Sequence, residues 1–333
     1  MITVNGRMPT INKFGNGETQ VVFDSNVYNF DTYFVEWLYE DDAEIMQLRQ
    51  VHSLLKTHGT YGATNDVTCA IPYFPYERMD RVAGNNPFSL QEMVELLPKD
   101  WDYIVVEPHS DVLAKQFKQA NLDLTITYFN RGFLPGRDIR LMVFPDKGSV
   151  KRYLSDPDSQ MMKDVIDCLA HKETILVGGK HRDFHTHELS EYEVTHQLAL
   201  DKDGKVEIVD WDRTHVLNLI KNAPQGTYKP FTVSVVDDVV SYGGTFIKLQ
   251  KYLEEALALG TPDMLRFELS VAHMEPSVFK GSLLDYYSKI HTTNSITGGT
   301  VFPETVFPDD SQIEVHNVRD CYYDYIPQVP NFK

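Results

Sequence analysis

The chain has 333 residues, of which 42% are hydrophobic and 24% charged, with a formal net charge of −17. That length suffices for two domains with sizeable cores, and that charge excludes the broad basic footprint of a nucleic-acid binder. Cys69, Cys168 and Cys321 are widely spaced with no CxxC pair, there is no basic-then-apolar leader, and no apolar run reaches 18 residues; neither a disulfide framework, a thiolate zinc site nor a membrane partner is expected, and a cytoplasmic protein is.

In chain order, short apolar runs alternate with helical patterns. A helix is expected over 41–59, opened by acidic residues and stopped at Gly59. "VTCAIPYF" (67–74) reads as a strand, followed by a helix over 89–97 with Ser89 as N-cap and a strand at "YIVVEPH" (103–109). "NRGFLPGRD" (130–138), with two glycines and a proline, is the expected domain boundary. Beyond it, "IRLMVFPD" (139–146) and "ETILVGG" (173–179) read as strands, and "LALDKDGKVEIV" (198–209) as a hairpin turning at Asp203-Gly204. "FTVSVVDD" (231–238), "MLRFELSVAH" (264–273) and "KIHTTNSI" (289–296) complete the strands. The helix over 244–260 carries Phe246, Leu249, Leu253 and Leu257 on one face and ends at Gly260. Continuous β-branched runs separated by helices predict an α/β protein whose sheets are mainly parallel and covered on both faces.

Four stretches carry chemistry. In "VSVVDDVVSYGGT" (233–245) a buried strand is expected to end at Asp237-Asp238, and Gly243-Gly244 to feed a helix. Ligands of open α/β sheets lie beyond the carboxyl ends of strands. Glycine-freed N–H groups at a helix start suit a phosphate, and two carboxylates before them suit the vicinal hydroxyls of a ribose. An ordinary strand-to-helix turn with acidic residues stands beside that interpretation at even weight. "IPYFPYERMDR" (71–81) places Arg78 and Arg81 after two prolines, either a bidentate grip on a polyphosphate or a proline-stiffened surface loop. "GGKHR" (178–182) lacks the first glycine of a P-loop; Lys180 and Arg182 are either a cationic clamp or a solvated basic turn. His181, His185 and His187 are close enough in sequence to converge on a metal, with surface histidines the commoner explanation. His109 closes a strand, where a ligand site is expected.

Taken in order, these blocks resemble the ribose-phosphate pyrophosphokinases (phosphoribosyl pyrophosphate synthetases), from Lys13 to about Ile296. "KFGNGET" (13–19), "IPYFPYERMDR", "EPH" with His109, "PDKGSVKR" (145–152), "KHR" (180–182) and "VVDDVVSYGGT" (235–245) stand in the family order. The resemblance implies two similar α/β domains of phosphoribosyltransferase type, with the boundaries 1–135 and 136–312 and a divergent tail at 313–333. It implies Mg²⁺ as cofactor, ATP and a ribose phosphate as substrates, and a homo-oligomer, a dimer at least and up to a hexamer. Phe14, Asn16 and Glu18 would approach the adenine of a neighbouring subunit's ATP, and Arg78 with Asp80 would hold ATP within its own subunit. His109 and Asp146 would hold Mg²⁺ or its waters, and Lys180 and Arg182 would be catalytic. Asp237 and Asp238 would take the ribose hydroxyls, with Ser241, Tyr242, Gly243, Gly244 and Thr245 around the 5-phosphate.

The sequence departs from the family pattern in several places. Met79 replaces the usual Gln, Glu107 the usual Asp, Ser149 the second glycine after Pro-Asp, and Ser241-Tyr242 the usual Asp-Thr. The segment 211–230 is added and the last helix is replaced by 317–333. A phenol at Tyr242, with Trp211 and Tyr228 in the added segment, favours an acceptor that extends beyond the 5-phosphate, such as ADP-ribose, over ribose 5-phosphate. A phosphoribosyltransferase would share the DD…GGT stretch without needing the Phe14 and Arg78 blocks. A non-catalytic regulatory homologue would not need Lys180, Arg182, His109 and Asp146.

Overall fold

The computed structural model describes residues 1–24, 27, 30–58, 67–129, 139–155, 157, 159–171, 173–182, 189–221, 231–257, 265–296 and 312–326; the side chains of 139–140, 180–182, 189–191, 219 and 221 fall outside that description. The described residues group into two compact α/β units. One is built from those of Met1–Tyr128 with 294–296 and 317–326, the other from those of 129–293 with 312–316. The boundary expected at 130–138 lies outside the described residues.

The first unit holds a five-stranded sheet. β1 (Ile2–Val4) pairs antiparallel with β4 (Tyr33–Trp37), which leads a parallel run through β5 (Val67–Ala70), β6 (Asp102–Val106) and β7 (Leu124–Thr127). β4 is buried along its whole length, which explains its unbroken "YFVEW". β2 (Thr10–Lys13) and β3 (Thr19–Val22) form a separate hairpin. α1 (Ala43–His58) buries Leu48, Val51 and Leu55, one turn-spaced stripe, and ends in Lys56 and His58, which suit the negative end of the helix dipole. α2 (Ser89–Leu96) starts one residue earlier than expected: its N-cap is Phe88, with no side-chain cap bond, so Ser89 is the first helical residue and not the cap. α3 is Val112–Gln119.

The second unit holds an eight-stranded sheet. β8 (Ile139–Phe144), β9 (Thr174–Arg182), β12 (Phe231–Val240), β13 (Leu265–Met274), β14 (Lys289–Thr293) and β15 (Ile313–His316) pair in parallel, in the order β9-β8-β12-β13-β14-β15. β10 (Leu189–Leu200) and β11 (Val206–Asp210) add an antiparallel extension beyond β9. Their turn is the one expected: Gly204 has φ 76°, and the Asp201 carboxylate accepts from the N–H groups of Asp203 and Lys205. The helices are α4 (Lys147–Leu154), α5 (Gln160–Ala170), α6 (Arg213–Lys221) and α7 (Gly244–Leu257). The stretch set apart as a tail divides: β15 closes the second sheet, while 317–326 belong to the first unit. Among the described residues no helix is long and apolar enough to cross a membrane.

Candidate functional site

The strand β12 does not stop at Asp237-Asp238, as the sequence predicts. It runs to Val240 because its parallel ladder with β13 continues to Val240↔Met274. On its other side the ladder with β8 ends at Val235↔Val143, so both aspartates lie where β12 outruns that neighbour. The start of α4 is held at this end. Asp146 is its N-cap, with Oδ1 accepting from the Ser149 N–H at 2.9 Å. Ser149 Oγ donates to Asp237 Oδ1 at 2.9 Å. Arg152, one turn further along, donates from Nη1 to Asp237 Oδ1 at 3.0 Å and pairs with Asp238 Oδ1 at 2.9 Å. Burial, the neighbouring Asp238 carboxylate and, more weakly, Asp146 outweigh Arg152 and push the Asp237 carboxyl up to about 7. Asp237 and Asp238 thus share the Arg152 guanidinium, and Asp146 lies close enough to raise Asp237 further.

Four residues on, the chain turns into α7. Gly243 has φ 83°, and a Cβ there would lie 2.8 Å from Leu283 Cβ, so the turn is closed to larger residues. Gly281 is held equally close, since a Cβ there would lie 2.6 Å from the Tyr242 carbonyl oxygen. Ser241 Oγ hydrogen-bonds Ser277 Oγ at 2.9 Å. The short helical segments Pro276–Lys280 and Leu283–Asp285 therefore underlie the turn. On the other side Gly244 is exposed, and a Cβ there would meet nothing within 4 Å. The first-turn N–H groups of a 14-residue helix, with an open approach, suit an anion. Tyr242 is 58% exposed, its ring outside the core.

The "GGKHR" stretch is strand, not turn: β9 extends through Lys180 and Arg182, paired with Tyr192 and Leu189 of β10. Gly178 serves close packing, since a Cβ there would collide with the Tyr192 hydroxyl, which donates to the Pro145 carbonyl at 2.9 Å. The side chains of Lys180, His181 and Arg182, and residues 183–188 with His185 and His187, lie outside the described residues. Trp211 does not stand at the phosphate turn. Its ring is 6.3 Å from that of Tyr252, about 12 Å along α7 from Gly244 at 1.5 Å per residue. Tyr228 lies outside the described residues.

In the first unit the blocks 71–81 and 107–112 meet at the carboxyl ends of β5 and β6. The His109 N–H donates to Glu77 Oε2 at 3.2 Å, and Ser110 Oγ donates to Asp80 Oδ2 at 2.9 Å. Asp80 is buried and also accepts from Arg81 Nε at 2.9 Å, so it orders this loop from within; Arg78 is exposed. Tyr76 and Glu107 hold φ of 63° and 44°, backbone strain placed in these same two loops. Phe14, Asn16 and Glu18 lie on the exposed tip of the β2–β3 hairpin, where Asn16 Oδ1 accepts from the Glu18 N–H at 3.2 Å.

The chain resembles known proteins in sequence and in fold. Residues 2–99 match the family model of the N-terminal domain of ribose phosphate pyrophosphokinase. The ribose-phosphate pyrophosphokinase of Mycoplasma genitalium is 24% identical over 326 residues, spanning 94% of this chain and 81% of that one. The chain is thus similar to the ribose-phosphate pyrophosphokinases, by family model over residues 2–99 and by sequence over most of its length. The family's enzyme from Mycoplasma pneumoniae is 28% identical over 151 residues, 43% of this chain and 44% of that one. The crystal structure of phosphoribosylpyrophosphate synthetase from Mycobacterium smegmatis shares the fold, with a TM-score of 0.59 at 18% identity over 96% of this chain and 89% of that one.

Ser149 has a purpose here: its hydroxyl, with the Arg152 guanidinium, reaches Asp237. Arg152 stands out in the sequence only as one basic residue among several, and Glu77 and Ser110 give no sequence signal. Each is a site neighbour only because an element end brings it there.

Proposed function

We propose that this protein transfers the β,γ-diphosphoryl group of ATP to the C1 hydroxyl of a 5-phosphorylated ribose and releases AMP. The observation that carries this is the sequence of sites along one strand: the paired carboxylates Asp237 and Asp238, then an open helix start at Gly244 a few residues later. Diol and phosphate recognition at that spacing describe a ribose phosphate. Arg152 and Ser149 hold Asp237 in place.

The transferred group spreads charge over phosphate oxygens, so the reaction needs alignment and cations more than a covalent nucleophile. Lys180 and Arg182 are assigned as those cations. Arg78 and Asp80 are assigned to the ATP site of one subunit, and Phe14, Asn16 and Glu18 to that of its neighbour in a homo-oligomer. The carboxylates of Asp237 and Asp238 with Asp146 nearby, Asp237 being hard to ionise, suit a hard divalent cation bound through oxygen. Mg²⁺, for which Asp146 is assigned as a ligand directly or through water, would neutralise the phosphate oxygens when bound.

For the acceptor we favour a ribose phosphate that continues past the 5-phosphate, with ADP-ribose as the representative. Tyr242 offers an exposed aromatic face beside the open helix start, where a second phosphate or a base would follow. Trp211 lends that idea no support, because it packs on Tyr252. The test is a competition at equal concentrations of ribose 5-phosphate and ADP-ribose, with ATP and Mg²⁺, following AMP and both products. A tenfold preference for ribose 5-phosphate, about 1.4 kcal/mol at the transition state, overturns the extended acceptor. No AMP with either acceptor overturns the activity itself.

A further inference from the structure

The parallel edge pair β14–β15 places His291 opposite Glu314 and Thr293 opposite His316. Side chains alternate along strands, so His291, Glu314 and His316 share one face. Their ligand atoms all lie within 4.8 Å of one another. Nδ1 of His291 is 3.4 Å from Glu314 Oε2, and Nε2 of His316 is 3.3 Å from Glu314 Oε1. A charge-assisted hydrogen bond is shorter, about 2.7–2.9 Å. A tetrahedral ion with bonds of 2.0–2.1 Å has donor–donor edges of about 3.3–3.4 Å. The two imidazoles lie 24° from parallel with centroids 5.9 Å apart, and Phe129 packs against His316 at 5.4 Å, an apolar wall on one side.

We propose that His291, Glu314 and His316 bind a divalent transition metal of the zinc type, clipping the edge strand β15 to β14. Two imidazoles and one carboxylate select such an ion over Mg²⁺, which takes oxygen ligands. The fourth position is left to water or an exogenous ligand. One group opposes the ion: Lys289 Nζ lies 3.3 Å from Glu314 Oε2 and competes for the carboxylate. The site is separate from the residues assigned to Mg²⁺, and it does not depend on the acceptor or on catalysis.

The experiment uses the tag-free full-length protein, stripped with chelator and held in excess Mg²⁺ to fill hard-cation sites. Zn²⁺ is titrated by calorimetry, and Co²⁺ by its visible spectrum. The wild type is expected to bind one equivalent, with Co²⁺ bands of tetrahedral intensity and a melting temperature that rises with metal. Glu314→Gln and His316→Asn are each expected to weaken binding at least about tenfold, and Lys289→Met to strengthen it. Glu314 is half exposed, so Glu314→Gln keeps the fold, and its metal-free melting curve checks that. Should His316→Asn fail to fold, Glu314→Gln and Lys289→Met still decide the matter through their opposite shifts. No bound equivalent in the wild type, or equal affinity in wild type, Glu314→Gln and Lys289→Met, overturns the proposal.

Discussion

Arg319 grips Glu36 across 283 residues of chain: Nε donates to Oε1 at 2.8 Å and Nη2 to Oε2 at 2.5 Å. Glu36 lies on the buried strand β4 and is 2% exposed. Tyr322 donates its hydroxyl to Oε1 at 2.6 Å and stacks on Phe34 at 6.2 Å. A carboxylate in the core is thereby fully committed to the C-terminal segment. Removing one partner of a buried pair leaves the other charge uncompensated. The guanidinium is about a third exposed, so the loss is at the low end. Arg319→Met is expected to lower stability by about 2 kcal/mol in urea unfolding, and Glu36→Gln in the same background to recover part of it. Two variants whose losses simply add would show that the pair is not coupled.

Asp237 is held at a cost to stability. Its folded-state carboxyl is pushed up to about 7 from an ordinary value of 3.8 by burial and then by Asp238. The folded state therefore binds more protons than the unfolded state between those values, so stability falls as pH rises through about 7. Asp237→Asn removes that titration. Relative to wild type, the variant is expected to melt higher at pH 8 by roughly 3 °C or more, with the gain shrinking at pH 5, while losing diphosphoryl transfer. A melting difference that is the same at both pH values would remove Asp237 as the titrating group.

Much of this fold is legible in the sequence, and the failures have physical causes. Continuous apolar runs mark β5, β6, β8, β12 and β13, because strands covered on both faces admit little else. Strand ends are not local. "GGKHR" reads as a turn, yet pairing with β10 keeps it extended; β10 itself is partly polar and escapes the pattern. Asp237-Asp238 reads as a strand end, but β13 carries the ladder onward. The stretch proposed for the ribose phosphate is visible because its residues are contiguous. Arg152, Ser149 and the His291–Glu314–His316 group are not, since each depends on which element ends the topology brings together.

Gly243 is irreplaceable in two distinct ways. Its φ of 83° disfavours any side chain, and a Cβ would press on Leu283. Gly243→Ala is expected to lose about 1–3 kcal/mol of stability and to raise KM for the phosphorylated acceptor more than for ATP. Adding Leu283→Ala relieves the clash but not the strain. Full recovery in the double variant would assign the whole effect to packing, and an unchanged acceptor KM would detach this turn from phosphate binding.

Lys180 lies on the extended end of β9, and its assigned role is to meet charge that develops during transfer. Lys180→Ala is expected to lower kcat roughly 10²-fold with KM for both substrates changed far less and the melting temperature unaltered. Lys180→Arg keeps the charge but not the geometry and is expected to fall between. A loss confined to KM would make Lys180 a binding residue.

The β2–β3 hairpin exposes Ile11, Phe14 and Val22 at 40%, 52% and 42%. β3 is anchored to α1, with the Val21 N–H donating to Gln50 Oε1 and Gln50 Nε2 to the Thr19 carbonyl, yet these three side chains stay exposed and gain from cover. A neighbouring subunit supplies that cover if the tip also serves its ATP site. Ile11→Asp with Phe14→Asp is expected to shift sedimentation to a smaller species and to abolish activity, while the melting curve of each unit's core stays close to wild type. Phe14→Ala separates assembly from binding: it is expected to preserve the oligomer and raise KM for ATP by roughly tenfold, the loss of one aromatic contact at about 1–1.5 kcal/mol. A wild type that sediments as a monomer at full activity would rule out a shared site, because no single subunit would then need a neighbour's Phe14.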